Sequence, residues 1–446
     1  MRWHSTCLTI HWKSDETLAE RQTTVDELVE RFTIGHDREL DRALARYDVI
    51  ASIAHARMLG HTGIIHADEA EQLVQVLEDI ACSIEQGQFN IEDGIEDVHS
   101  QLELELVRRL GPLGEKIHTA RSRNDQVLIA MILYARDRLR NTARAIGELI
   151  DRMLTWATDH RHALIPGLTH LQAAMPSSLG LWMSSFAEAL TYDMLLTAVA
   201  MELASKNPLG TAAGYGSSFP IDRVYTTEQL GLRTMVFSPP AAQLLRGKVE
   251  HTCALALAAY ATTLGRWAND VVLFLSPGFR FLRLPPELTT GSSIMPHKQN
   301  PDVFELLRGR FAALATLPSQ IHAIIGHLPS GYHRDYQLLK EMLLPAWEEF
   351  DDCLEVVTYI LPKIEHVAGV IERPEYHSIW SVEAIYQRMQ KTGESFRAAY
   401  RAVGESLSDT VAQLRVAASN ATQSIADFDT EGIRSAKEAM LTRILA

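Results

Sequence analysis

The chain has 446 residues, a formal net charge of −14 at neutral pH and an isoelectric point near 5.7. That length can bury a large core and suits about three domains of roughly 150 residues each. The acidic balance argues against a nucleic-acid backbone or an anionic membrane as partner, and leaves room for a local basic pocket that takes a small acidic substrate. Cys7, Cys82, Cys253 and Cys353 are widely spaced with no C-x-x-C pair, so neither a disulfide framework nor a zinc site is indicated and a reducing cytoplasm fits. The apolar run from Cys7 to Ile10 is too short for a signal segment, and no stretch reaches the roughly 18 apolar residues of a membrane helix. The first twenty or so residues read as a loosely held extension.

Taken in order, Asp26 to Phe32, Asp41 to Leu59 and Ala67 to Glu85 carry apolar residues at helical spacing, the last with Leu73, Val76, Leu77, Ile80 and Ile84 on one stripe. The short polar stops Phe32 to Asp37 and Ile95 to His99 are candidates for placing side chains at a cleft, although capping chemistry also accounts for them. His118 to Gln126 reads as a helix entry with Asn124 or Asp125 as N-cap, and its two arginines, Arg121 and Arg123, have the fork that partners carboxylates. Asn124 to Ile165 and Ser177 to Asn207 lack proline and hold one glycine each, Gly147 and Gly180. Helices of such length run about 45 to 60 Å, too long for a small domain, and must form a bundle.

Between those runs lies the turn Ile165 to Gln172, which carries Thr169, His170 and Gln172. Asn207 to Pro220 is glycine-rich but lacks a following G-K-[ST] and a preceding strand, so it reads as a mobile or close-packed loop rather than a phosphate loop. Ala241 to Ser276 is a third helical run, and His251 to Gly265 within it has no formally charged side chain. A helix apolar on every face is surrounded by others, so this run predicts a bundle that continues across a subunit interface. Leu328 to Gln337 is a further polar turn before a helix containing Lys340, and Leu361-Pro362 marks a boundary to a small C-terminal helical part.

Thr289 to Pro301 concentrates the chemistry. Gly291 permits a tight turn and close approach to a ligand, the prolines hold the segment out of a helix, and Pro301 suits the first helical position of Asp302 to Leu314. A loop ending at a helix N-terminus offers free amides and a positive dipole end, and Lys298 adds a full charge, so the segment is suited to a carboxylate or phosphate.

Gly291 to Pro301 matches every fixed position of G-S-S-x-M-P-x-K-x-N-P, the signature of the fumarase and aspartase superfamily. Together with Arg121 to Gln126, Pro166 to Gln172 and Leu328 to Gln337, it resembles the argininosuccinate lyase family, from roughly Asp26 to the C-terminus. The resemblance implies an all-α, three-domain subunit with a central bundle of long helices: residues 1–118, 119–361 and 362–446. It further implies a homotetramer with active sites shared between subunits, and cleavage of argininosuccinate to arginine and fumarate without a cofactor. No metal is expected, since His160 and His162 lack carboxylate companions at metal spacing. The same motifs leave two alternatives, a superfamily lyase for another N-substituted aspartate and a non-catalytic crystallin-like protein.

Residue by residue, the resemblance implies that Ser292 takes the carbon-bound proton, with Lys298, Asn300 and the loop amides stabilising the charge that develops. His170, oriented by Glu305, stands near the leaving nitrogen, and which group finally donates the proton is open. Thr33, Asp97, Ser122, Arg123, Asn124, Thr169, Gln172, Ser293, Tyr332, Gln337 and Lys340 match substrate-side positions. The sequence departs from the family pattern at Ala120, where glycine is usual, at Ala130, where an acid is common, at Thr33, where serine is usual, and from Gln243 to Glu250.

Overall fold

The computed structural model describes residues 27–92, 95–405 and 427–446, so the N-terminal extension, Cys7 and Asp26 lie outside the described residues. The N-terminal helices α1 (Glu27–Ile34), α2 (Asp37–His61), α3 (Ala67–Glu85) and α4 (Val98–Leu110), with the single turn α5 (Pro112–Glu115), bring together a core that runs from Ala45 to Ile117. α3 has the bounds its stripe predicts, and Leu73, Leu77 and Ile80 are buried.

The bundle begins with α6 (Arg123–Asp159), 37 residues long and therefore about 55 Å. Leu139, Ala143, Ile146, Ile150, Met153 and Ala157 recur every three or four residues along its buried face. Its N-cap is Ser122, not Asn124 or Asp125. The Ser122 hydroxyl accepts from Asn124 N at 3.2 Å and Asp125 Oδ1 accepts from Ser122 N at 3.0 Å, a reciprocal capping box. The run read as Asn124 to Ile165 stops six residues early because the chain turns into a β-hairpin, β1 (Leu164–Thr169) against β2 (Gln172–Ser178).

Two long helices complete the bundle. α7 (Leu179–Leu203) packs on α6, and after the short α8 (Arg223–Gln229) and α9 (Pro239–Leu245) comes α10 (Lys248–Leu275), which packs on α7. The single run expected from Ala241 to Ser276 is broken at Arg246-Gly247. Gly247 has φ +76°, and a Cβ there would lie 2.4 Å from Ile325 Cγ2, so only glycine makes the corner.

α7, α11 (Asp302–Leu314), α12 (Leu317–Ile325) and α13 (Leu338–Ile360) of the same chain pack on α10. They leave part of it open: Leu255 and Thr262 are exposed, and Thr252 and Ala259 beside them are only half-buried. A larger uncovered apolar face lies on α7, where Leu181, Tyr192, Leu195 and Val199 are exposed, Tyr192 by 66 %. α14 (Ser381–Thr392) and α15 (Phe396–Glu405) form a separate small cluster, and α16 (Thr430–Leu445) returns to lie on α6 and α7. The architecture is helical, as the sequence predicts, with the hairpin and a few two-residue strand pairs added. Among the described residues, no helix is long and apolar enough to cross a membrane.

Candidate active site

The loop at Thr289 to Pro301 is a ribbon. β3 (Thr290–Gly291) pairs antiparallel with β4 (Gln299–Asn300), projecting residues 292–298 as an exposed tip. Gly291 has no positive φ and a Cβ there would meet only open space, so the tight turn read into it is absent. Pro301 takes the cap position of α11 rather than the first helical one, and Thr290 Oγ1 donates to Asp302 at the helix start. Ser292 Oγ accepts from Ile294 N at 3.4 Å and Met295 N at 3.2 Å. Two amide dipoles therefore converge on the oxygen that would have to carry negative charge as a base, which favours its charged form.

His170 sits at the tip of the hairpin. His170 and Leu171 have φ of +55° and +58°, the two central positions of a two-residue mirror-image turn, with Thr169 and Gln172 opposite each other. Left-handed backbone at two non-glycine residues costs on the order of 1 kcal/mol or more each, and the result presents an exposed imidazole. Among the described residues, neither a hydrogen bond nor an ion pair joins His170 to Glu305 within the chain, and Ser293, Lys298 and Glu305 are all exposed.

The third group of residues forms a cavity of about 200 Å³ where the start of α6 meets the N-terminal helices and the turn before α13. It gathers Asp97, Arg123, Asn124, Tyr332, Gln337 and Lys340 from the sequence reading, and adds Asp37, Asp41, Glu96, Arg246, Glu250, Arg334 and Tyr336. Asp97 caps α4, accepting from Ser100 N at 2.8 Å and lying 3.3 Å from Arg123. Burial works to raise its pKa, but His99, Arg123 and the Ser100 bonds outweigh it and hold it below the usual carboxylate range. Arg123 donates to Glu96 at 2.8 Å and to Ser100 Oγ at 2.8 Å.

Thr33 contributes through its backbone. Its carbonyl accepts from Arg334 Nη2 and Gln337 Nε2, each at 3.0 Å, while its hydroxyl donates to Val29 O. Lys340, 5 % exposed, places Nζ 2.7 Å from both Asp37 and Asp41. Burial pushes the Asp37 carboxyl up to about 6 against the pull of Lys340. Replacing Lys340 with Met leaves two buried acids uncompensated and is expected to cost about 3–5 kcal/mol, read as a lower urea midpoint; an unchanged midpoint would contradict the ion-pair account.

Within one chain, then, neither the Ser292 loop nor the His170 hairpin lines the cavity, and among the described residues no hydrogen bond or ion pair joins Ser292 to His170. A lyase family model matches residues 19–314. Argininosuccinate lyase of Bacteroides fragilis is 48 % identical over 389 residues, which cover 87 % of each chain. The chain belongs to the argininosuccinate lyase family. The Xanthomonas oryzae pv. oryzae argininosuccinate lyase is 40 % identical over 88 % of this chain and 90 % of its own. At the level of fold, an EDDS lyase crystallised with formate superposes with a TM-score of 0.71 at 19 % identity, covering 92 % of this chain and 84 % of its own.

As a member of the argininosuccinate lyase family, the chain accommodates its departures locally. Ala120 has φ +60°, the conformation for which glycine is the easy choice, so alanine bears the strain there. Ala130 is fully buried in the face of α6, a place where an acid would need a partner. The first part of the glycine-rich loop, Asn207 to Thr211, is close-packed and strapped to α6, where Asp125 Oδ2 accepts from Gly210 N and Ala212 N, both at 2.9 Å; Tyr215 and Ser217 to Pro220 are exposed. Gly214 leaves room for Gln243, whose Cγ would come within 2.9 Å of a Cβ at that site. Asp37 was read only as the end of a polar stop and Asp41 only as the start of a helical run, although their four-residue spacing on a helix gives two acids on one face; Arg246 drew notice only as a departure.

Proposed function

We propose that this chain cleaves argininosuccinate to arginine and fumarate by elimination. The observation that carries the reading is 48 % identity over 87 % of the chain with an argininosuccinate lyase, together with the retention of Ser292, His170, Lys298, Asn300 and Glu305. In this reading Ser292 Oγ takes the proton from the succinyl carbon beside a carboxylate. The electrons left behind spread into that carboxylate, where Lys298, Asn300 and the free amides at the start of α11 meet the developing charge. The carbon–nitrogen bond then breaks, its electron pair leaves with the guanidino nitrogen, and a proton delivered at the His170 end completes arginine.

The reading includes a homotetramer whose sites draw the Ser292 loop, the His170 hairpin and the cavity from different copies. Support comes from the absence of that loop and that hairpin from the lining of the cavity in one chain, and from the open apolar face of α7. It also keeps residues 1–118, 119–361 and 362–446 as the three domains and Thr33, Asp97, Ser122, Arg123, Asn124, Thr169, Gln172, Ser293, Tyr332, Gln337 and Lys340 as the substrate-side set. The test follows fumarate by the ultraviolet absorbance of its conjugated double bond against argininosuccinate and several other succinyl amines. Release from argininosuccinate is the expected result. Release from another substrate alone points to a lyase for a different N-substituted aspartate, and none from any points to a crystallin-like protein.

A further inference from the structure

Arg246 stands at the corner between α9 and α10, in the segment that departs from the family pattern. It is 7 % exposed and lines the cavity. Its Nη2 donates to Asn124 O at 2.5 Å, and its guanidinium carbon lies 5.0 Å from the Tyr332 ring centre and 5.8 Å from that of Tyr336. The other cations of the cavity are already paired: Arg123 with Glu96 and Asp97, Arg334 with Glu96, and Lys340 with Asp37 and Asp41. Arg246 has no carboxylate within ion-pair distance among the described residues, and its Nε has no hydrogen-bond partner. The nearby acid, Glu250, spends its carboxylate on Gly247 N at 2.7 Å. One turn earlier, Gln243 is buried with both amide atoms unpartnered.

A buried guanidinium is costly unless it is paired and hydrogen-bonded. Aromatic faces offset part of that cost by cation–π attraction, but they do not satisfy the N–H donors. The fork geometry of the group selects a carboxylate, and the cavity is where one can reach it. In the reading above the reacting groups Ser292, Lys298, Asn300 and His170 are brought to the cavity by other copies, so the wall this chain itself supplies around Arg246, with Tyr332 and Tyr336, is left for the half of the substrate that does not react. In argininosuccinate that half is an amino acid with its own α-carboxylate.

We propose that Arg246 binds the α-carboxylate of the amino acid that is released, and so makes the enzyme select leaving amines that carry a carboxylate. This rests on the argininosuccinate reading above. The experiment compares kcat/KM for argininosuccinate with that for its decarboxylated analogue, in which agmatine replaces arginine, in the wild type, R246Q and R246K. The wild type is expected to prefer argininosuccinate by on the order of a hundredfold, the worth of a charged, bidentate hydrogen-bonded pair. R246Q is expected to bring the preference close to unity, through a higher KM for argininosuccinate more than a lower kcat. R246K keeps the charge without the fork and is expected to retain part of the preference, which keeps the test open should R246Q unfold.

A wild-type preference that persists undiminished in R246Q, or in R246K where R246Q does not fold, overturns the proposal, whether or not overall activity falls. So does a wild type that treats the two substrates alike. A wild type that releases no fumarate from argininosuccinate sinks the functional reading itself, a failure seen before any variant is made.

Discussion

Ser292→Ala is expected to lower kcat by about 10³-fold or more while KM for argininosuccinate and the assembly stay close to those of the wild type. A positioned base contributes roughly 10²–10⁴-fold, and this one also receives two converging amides, from Ile294 and Met295, that alanine leaves without a partner. The fold should tolerate the change, because the serine lies on a projecting tip and its side-chain hydrogen bonds are to its own loop. Substitutions at such sites usually fall within about 0.5 kcal/mol. Steady-state kinetics and sedimentation on the same preparation check both halves of the expectation. Near-normal turnover would remove Ser292 from the role of base.

The second large effect concerns assembly. Tyr192→Asp combined with Leu195→Asp places two carboxylates on the open apolar face of α7. Exposed in a lone subunit, they cost little; buried against another copy without partners, each costs several kcal/mol. The double variant is expected to sediment as a smaller species with normal helix content, and its fumarate production is expected to fall below detection. Activity would vanish because within one chain neither the Ser292 loop nor the His170 hairpin lines the cavity. A small species that retained full turnover would contradict the shared-site reading.

How much of this was legible in the sequence depends on whether the determinant is local. α3 and α11 have the bounds read from periodicity and from the proline that precedes α11, since apolar spacing and helix-stopping residues act within a few positions. The hairpin was missed because its turn uses His170 and Leu171, both with positive φ, instead of the Asn-Gly pair that advertises such turns. The corner at Gly247 was missed for a tertiary reason: Ile325, from α12, fills the space a side chain would need.

The site divides the same way. Ser292, Lys298 and Asn300 lie within nine residues and could be read as a unit. Arg246 acquires its meaning only when Asn124, Tyr332 and Tyr336 are brought around it from more than eighty residues away on either side. The interface illustrates the limit of an all-round apolar pattern. It marks a helix as largely covered without saying by which chain. The run from His251 to Gly265 is packed by its own chain on most sides and left open at Leu255 and Thr262, and α7, whose pattern is less uniform, carries the larger open face.

The central claim is that argininosuccinate is cleaved at sites assembled from more than one copy. It is tested most directly by mixing Ser292→Ala with His170→Asn, allowing subunits to exchange, and assaying fumarate release. Each variant alone is expected to be inactive. In the mixture, random assortment returns an intact serine and an intact histidine to the same site in about one case in four, so a substantial fraction of wild-type turnover should reappear. A mixture that exchanges subunits yet stays as inactive as its parents would contradict the account.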